Sequence, residues 1–161
     1  MEEISSIKND ESKIQLSIQE WSKLAHEGID IPIQITLNGH SMEPFIKYQK
    51  DTVTIIPINK NIKCGDIVLF QRNDGQYVVH RVFKIKESKV QTLGDGCLSP
   101  DAWIYRSNIV GKIIKIKKNK ITVNTDTSLS RCFGIVWMKL LFIRNYYKYI
   151  RRIARNLVKR R

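Results

Sequence analysis

The sequence predicts a mainly β protein, α+β overall: a curled antiparallel sheet or partial barrel with a helix at each end. Three observations predict it. Between about residues 31 and 124, seven short runs rich in β-branched and apolar residues are separated by turn residues, with no helical stretch interleaved. Asp74-Gly75 sits between two of these runs, a strong signal for an antiparallel hairpin. Near both termini the apolar spacing changes from alternation to helical periodicity. With 161 residues and 42% hydrophobic content, the chain can bury one core of ordinary size. The organisation expected is a helical segment over 1–28, a β body over 29–126 and a basic amphipathic helix over 127–161.

Taken in order, residues 11–27 place Ile14, Ile18, Trp21 and Ala25 at helical spacing behind the capping candidates Asn9 and Asp10, and Gly28 supplies the stop. Strands are expected at 33–37, 52–57, 67–71, 77–84, 90–93, 109–116 and 120–123. No internal repeat is present. Residues 133–143 are apolar apart from Gly134 and Lys139. A helix of that length measures roughly 16 Å, about half of a hydrocarbon core near 30 Å, and does not span a membrane alone. Beyond it Tyr147, Ile150, Ala154, Leu157 and Val158 fall on one helical face, and Lys148, Arg152, Arg155 and Lys159 on another.

Charge is concentrated in that tail. Of the formal net charge of +13, residues 131–161 supply ten Lys or Arg and no acid. Cys64, Cys97 and Cys132 lie far apart, without Cys-x-x-Cys or His-x-x-x-His spacing, so free thiols and no metal or other cofactor are expected. The acidic amino terminus has neither the apolar region of a signal peptide nor a membrane span, which predicts a cytoplasmic location.

The chemistry concentrates in two boxes. Gly39-His40-Ser41-Met42-Glu43-Pro44 offers a hydroxyl in a stiff turn, and Val78-Val79-His80-Arg81-Val82 offers an imidazole in an extended run. A serine hydroxyl needs a neighbouring group to take its proton, and imidazole, with an unperturbed pKa of about 6.5, suits that task. Alternation places His80 on one strand face with Val78 and Val82, and Arg81 on the other with Val79. His40 would point away from Ser41 in an extended chain, and His26 belongs near a helix end. The bland alternatives are a plain loop for the serine and a buried structural histidine for His80.

These boxes, with Gly65-Asp66-Ile67-Val68 between them and Gly94-Asp95-Gly96 after them, resemble the superfamily of type I signal peptidases and self-cleaving SOS repressors. The closest likeness is to the endoplasmic-reticulum, archaeal and sporulation branch, marked by histidine where other members carry lysine. The resemblance runs from about residue 31 to 115. It implies the signal-peptidase type of β fold and a serine endopeptidase with Ser41 as nucleophile and His80 as base. Asp95 is expected to orient the histidine, with Asp101 as a secondary acid that could order the loop instead. The backbone N–H of Ser41 is expected to hold the oxyanion. Met42 is expected to line the substrate cleft, or else to be core.

Three departures stand out. The family pattern Gly-Asp-Ala-Asn is altered at Gly96 and Cys97, and Gly39 stands where many signal peptidases carry a hydroxyl that assists the oxyanion. The amino-terminal anchor usual in the branch is not seen either. By resemblance the substrate is a peptide or protein precursor, bound as an added strand and cut after small residues. The tail suits an anionic membrane surface, with peripheral attachment at the inner face, or else packs on the body. An inactive relative that binds peptides or membranes is the alternative function. Nucleic acid ranks last, because the apolar half of the tail would be wasted on it.

Overall fold

A computed structural model describes residues 17–58, 61–140, 143 and 146. Helix α1 spans Ile18–His26. A capping box sets its start: the Ser17 hydroxyl accepts from the Glu20 N–H, and the Glu20 carboxylate accepts from the Ser17 N–H at 2.8 Å. The helix therefore begins later than the apolar periodicity suggests. Ile14 and the capping candidates Asn9 and Asp10 lie outside the described residues. Gly28 ends the helix with φ of 86°, and the N–H groups of Gly28 and Ile29 return to the carbonyls of Ala25 and Leu24. Trp21 is buried on the sheet, and its indole N–H donates to the Ile31 carbonyl at 2.7 Å. Gly111 makes room for it, since a Cβ there would lie 2.7 Å from the indole ring.

The body is one antiparallel sheet of β1 (Ile33–Thr36), β2 (Thr52–Pro57), β3 (Ile67–Gln71), β4 (Tyr77–Lys86), β5 (Lys89–Leu93), β6 (Ile104–Tyr105), β7 (Ile109–Lys118) and β8 (Ile121–Asn124). The order is β1-β2-β7-β3-β4-β5-β6, and β8 pairs with the far end of β7. All seven expected strands are present. The eighth, β6, is two residues long and too short to show alternation. Register shifts at Thr54/Ile55, Leu69/Phe70 and Val82/Lys84 bend the strands and curl the sheet into a half-barrel.

Burial on both faces explains the unbroken apolar run of β3. Ile67 and Leu69 join a cluster with Trp21, Ile35, Val53, Ile55 and Ile113, while Val68 and Phe70 join a second with Val82, Val90 and Ile109. Each fully buried side chain of this size contributes about 1.5–3 kcal/mol.

Helix α2 spans Ser128–Lys139 and starts at Thr127, whose hydroxyl accepts from the Ser130 N–H. Two glycines let it approach the sheet. A Cβ on Gly134 would lie 2.5 Å from Arg81 Nη1, and one on Gly65 would lie 2.6 Å from the Arg131 carbonyl oxygen. Buried Asp66 anchors the same junction, facing Lys112 at 3.2 Å and Arg131 at 3.6 Å. No described helix is long and apolar enough to cross a membrane. The amphipathic pattern expected over Tyr147 to Lys159 lies outside the described residues.

Candidate active site

Strand β1 runs into the serine box, which folds as a tight turn. Phe45 and Ile46 N–H both donate to the Met42 carbonyl, at 3.1 and 2.9 Å. That turn sends Met42 and Ile46 inward together, with exposures of 1% and 0%. Met42 is therefore a core anchor and not a lining residue of a cleft, a correction to the first expectation for it. Ser41, immediately before the anchored turn, is half-buried.

His80 occupies the middle of β4, opposite Val68, with its ring centroid 6.1 Å from that of Phe70. Its Nδ1 lies 2.5 Å from Asp101 Oδ2. An ionised carboxylate has only lone pairs to offer, so the shared proton belongs to Nδ1, and a neutral ring held this way has its lone pair on Nε2. Asp101 is itself held on several sides. It accepts from the Thr92 hydroxyl at 2.7 Å and from Arg72 Nη2 at 2.9 Å, and its own N–H donates to the Thr92 carbonyl at 2.8 Å. Burial alone would raise the Asp101 carboxyl, but His80, Thr92 and Arg72 together hold it below its ordinary value.

Asp95 has a different partner from the one expected. Its two carboxylate oxygens meet Arg81 Nε and Nη2 at 2.9 and 2.8 Å in a buried fork, and Arg81 Nη1 donates to the Gly65 carbonyl. Alternation along β4 is the reason: His80 and Arg81 face opposite sides of the sheet, so each takes its own acid. Asp101, not Asp95, orients the imidazole.

The Gly94-Asp95-Gly96 turn brings the serine box to the histidine. A Cβ on Gly94 would lie 2.7 Å from the Ser41 carbonyl oxygen and 2.9 Å from His80 Nε2, so those two atoms flank one point. The Gly96 N–H donates to the same Ser41 carbonyl at 2.7 Å. Gly96 packs as closely, its Cβ position 2.9 Å from the Glu43 carbonyl oxygen. Nε2 of His80 and the backbone of Ser41 thus both border Gly94. Among the described residues no hydrogen bond joins the two side chains directly.

Residues 21–93 match the Peptidase S24-like family. The matched stretch is a little under half of the chain; it includes Ser41 and His80 and stops before Asp95 and Asp101. It supports a serine-type peptidase, a hydrolase, as the broad class. No curated protein and no solved structure matches the chain.

The other two histidines have different partners. His40 is exposed, bonded to Glu43 at 3.0 Å and stacked near Tyr48, while His26 bonds the Ser22 carbonyl and borders a shallow hollow lined by Gln19, Lys23 and Tyr77. Among the described residues nothing but its chain neighbours lies within 4 Å of a Cβ built on Gly39. Among the described residues no three His, Cys, Asp or Glu side chains are grouped to hold a metal. Residue-level reading missed Arg72 and Thr92. Thr92, a polar residue two positions after Val90 and on the same face of β5, was the available signal.

Proposed function

We propose that the protein is a serine endopeptidase in which Ser41 attacks the scissile carbonyl, His80 takes its proton and Asp101 orients the ring. One observation carries this reading: the Nε2 end of His80 and the backbone of Ser41 meet at Gly94. As the hydroxyl attacks, its proton passes to Nε2, and the imidazolium is stabilised by Asp101 across the 2.5 Å contact. The same proton then passes to the leaving amine, and water repeats the sequence on the acyl-enzyme. The Ser41 N–H is the oxyanion donor assigned to this chain. Lysine serves as base in part of the S24 family; the carboxylate behind His80 suits an imidazole base instead.

The substrate is an extended precursor peptide with small residues before the cut, as the likeness to signal peptidases implies. Strand β1 supports this, because it is the terminal strand of the described sheet and leads directly to Ser41, which suits a peptide added along its edge. Gly39 favours a second reading, an inactive relative that retains peptide binding.

Ser41→Ala and His80→Ala are each expected to abolish cleavage across a library of small-residue peptides read by mass spectrometry, with unchanged circular dichroism. Retained cleavage by either variant would refute the dyad. Peptide binding by the wild-type chain without any product would move the assignment to the inactive relative.

A further inference from the structure

The inner face of α2 is committed to the sheet, but its outer face is not. Leu129, Phe133, Val136, Leu140 and Ile143 are 81%, 55%, 52%, 38% and 65% exposed, and they recur at alternating steps of four and three residues. In sequence the same steps continue through Tyr147, Ile150, Ala154 and Leu157. Leu129, Val136, Leu140 and Ile143 thus turn apolar side chains to solvent, while Phe133 between them also meets Phe45.

Charge decides what can cover this apolar stripe. The ten cations of residues 131–161 have no acid among them, so pairing two copies along this stripe would set like charges against each other with nothing to compensate. Nucleic acid would engage the cations and leave the apolar stripe in water. We infer that α2 and its basic continuation dock on an anionic lipid surface, the stripe lying in the headgroup boundary and the Lys and Arg side chains meeting lipid phosphates. This goes beyond the peptidase reading and does not depend on it.

The geometry also fixes what the surface would adjoin. Phe133 of the stripe stacks edge-on against Phe45 at 5.3 Å, and Trp137, one turn on, meets Phe45 at 4.9 Å and donates from its indole N–H to the Asp95 carbonyl at 2.9 Å. Phe45 closes the turn that begins at Ser41. Docking would set the serine turn beside the lipid.

The test is flotation of the full chain with vesicles of phosphatidylcholine alone and of phosphatidylcholine mixed with phosphatidylglycerol. The full chain is expected to float with the mixed vesicles only, and Ser41→Ala to float equally well, which separates this inference from the catalytic one. Leu129→Glu combined with Val136→Glu is expected to lower the bound fraction about tenfold or more at unchanged melting temperature. If that pair does not fold, Leu129→Ser with Val136→Ser is read the same way. The inference is overturned if the full chain stays with the unbound fraction, or if a folded stripe variant floats like the wild type. It is equally overturned if the stripe substitutions split a dimer without changing flotation, or if duplex DNA is bound more tightly than the mixed vesicles.

Discussion

His80 and Arg81 are neighbours in one strand and face opposite ways, and each draws on a separate carboxylate. This divides the acids into two kinds. Asp95, wholly buried with Arg81, is structural in its observed contacts: Asp95→Asn should destabilise the fold by about 3–5 kcal/mol, read by urea denaturation, because it leaves a buried guanidinium without its counter-charge. Asp101 is partly exposed and holds the ring, so Asp101→Asn should leave most of the stability and lower kcat about a hundredfold or more. Equal loss of stability in both variants would contradict that division. The nucleophile and base candidates were legible in sequence because each stands in a box of distinctive turn or strand residues. The assignment of acids was not, since two aspartates six positions apart in one loop look alike until the partners across the sheet are known. A buried arginine next to the histidine was the clue that a second carboxylate would be claimed.

At the scale of elements, close approaches of backbone determine the site. The strand boundaries followed from alternation, and Asp74-Gly75 turns β3 into β4 as expected, with Gly75 at φ of 84°. The start of α1 did not follow, because the capping box of Ser17 and Glu20 sets it and apolar spacing alone does not reveal a cap. Met42 stood open between cleft and core in the sequence, although its spacing of four from Ile46 is what a helical turn needs to bury both. The close approach at the site is Gly94, where a methyl group would meet Cys97 Sγ, the Ser41 carbonyl oxygen and His80 Nε2 within 2.6–2.9 Å. Gly94→Ala should therefore cost about 1–3 kcal/mol and reduce kcat more than KM, by moving the serine turn away from the ring. Wild-type kinetics in that variant would show that the turn does not set their separation.

At the scale of the whole molecule, acid stability depends on carboxylates that the fold keeps ionised. Hydrogen bonding from Lys112, with Arg131 beside it, outweighs slight burial and lowers the Asp126 carboxyl, and Asp101 is lowered by its own set of partners. A carboxyl lowered in the folded state binds its proton first in the unfolded chain, so its stabilising effect is present above the ordinary carboxylate range near 4 and is lost as pH falls through the lower folded values. The melting temperature should therefore drop as pH is taken from about 5 towards 2, and Asp101→Asn should flatten part of that slope. A melting temperature constant over the window would exclude these contributions. The uneven charge of the chain was plain in sequence. The structural share of its carboxy-terminal helix was not, because Gly134 reads as a helix-weakening residue until Arg81 is found against it.

That glycine gives α2 a second duty as a wall. The guanidinium of Arg81 is shut from water by the sheet on one flank and by the backbone around Gly134 on the other, and the indole of Trp137 bolts the same wall to the turn that carries Asp95. Without this helix the β body would leave its buried Arg81–Asp95 ion pair unroofed.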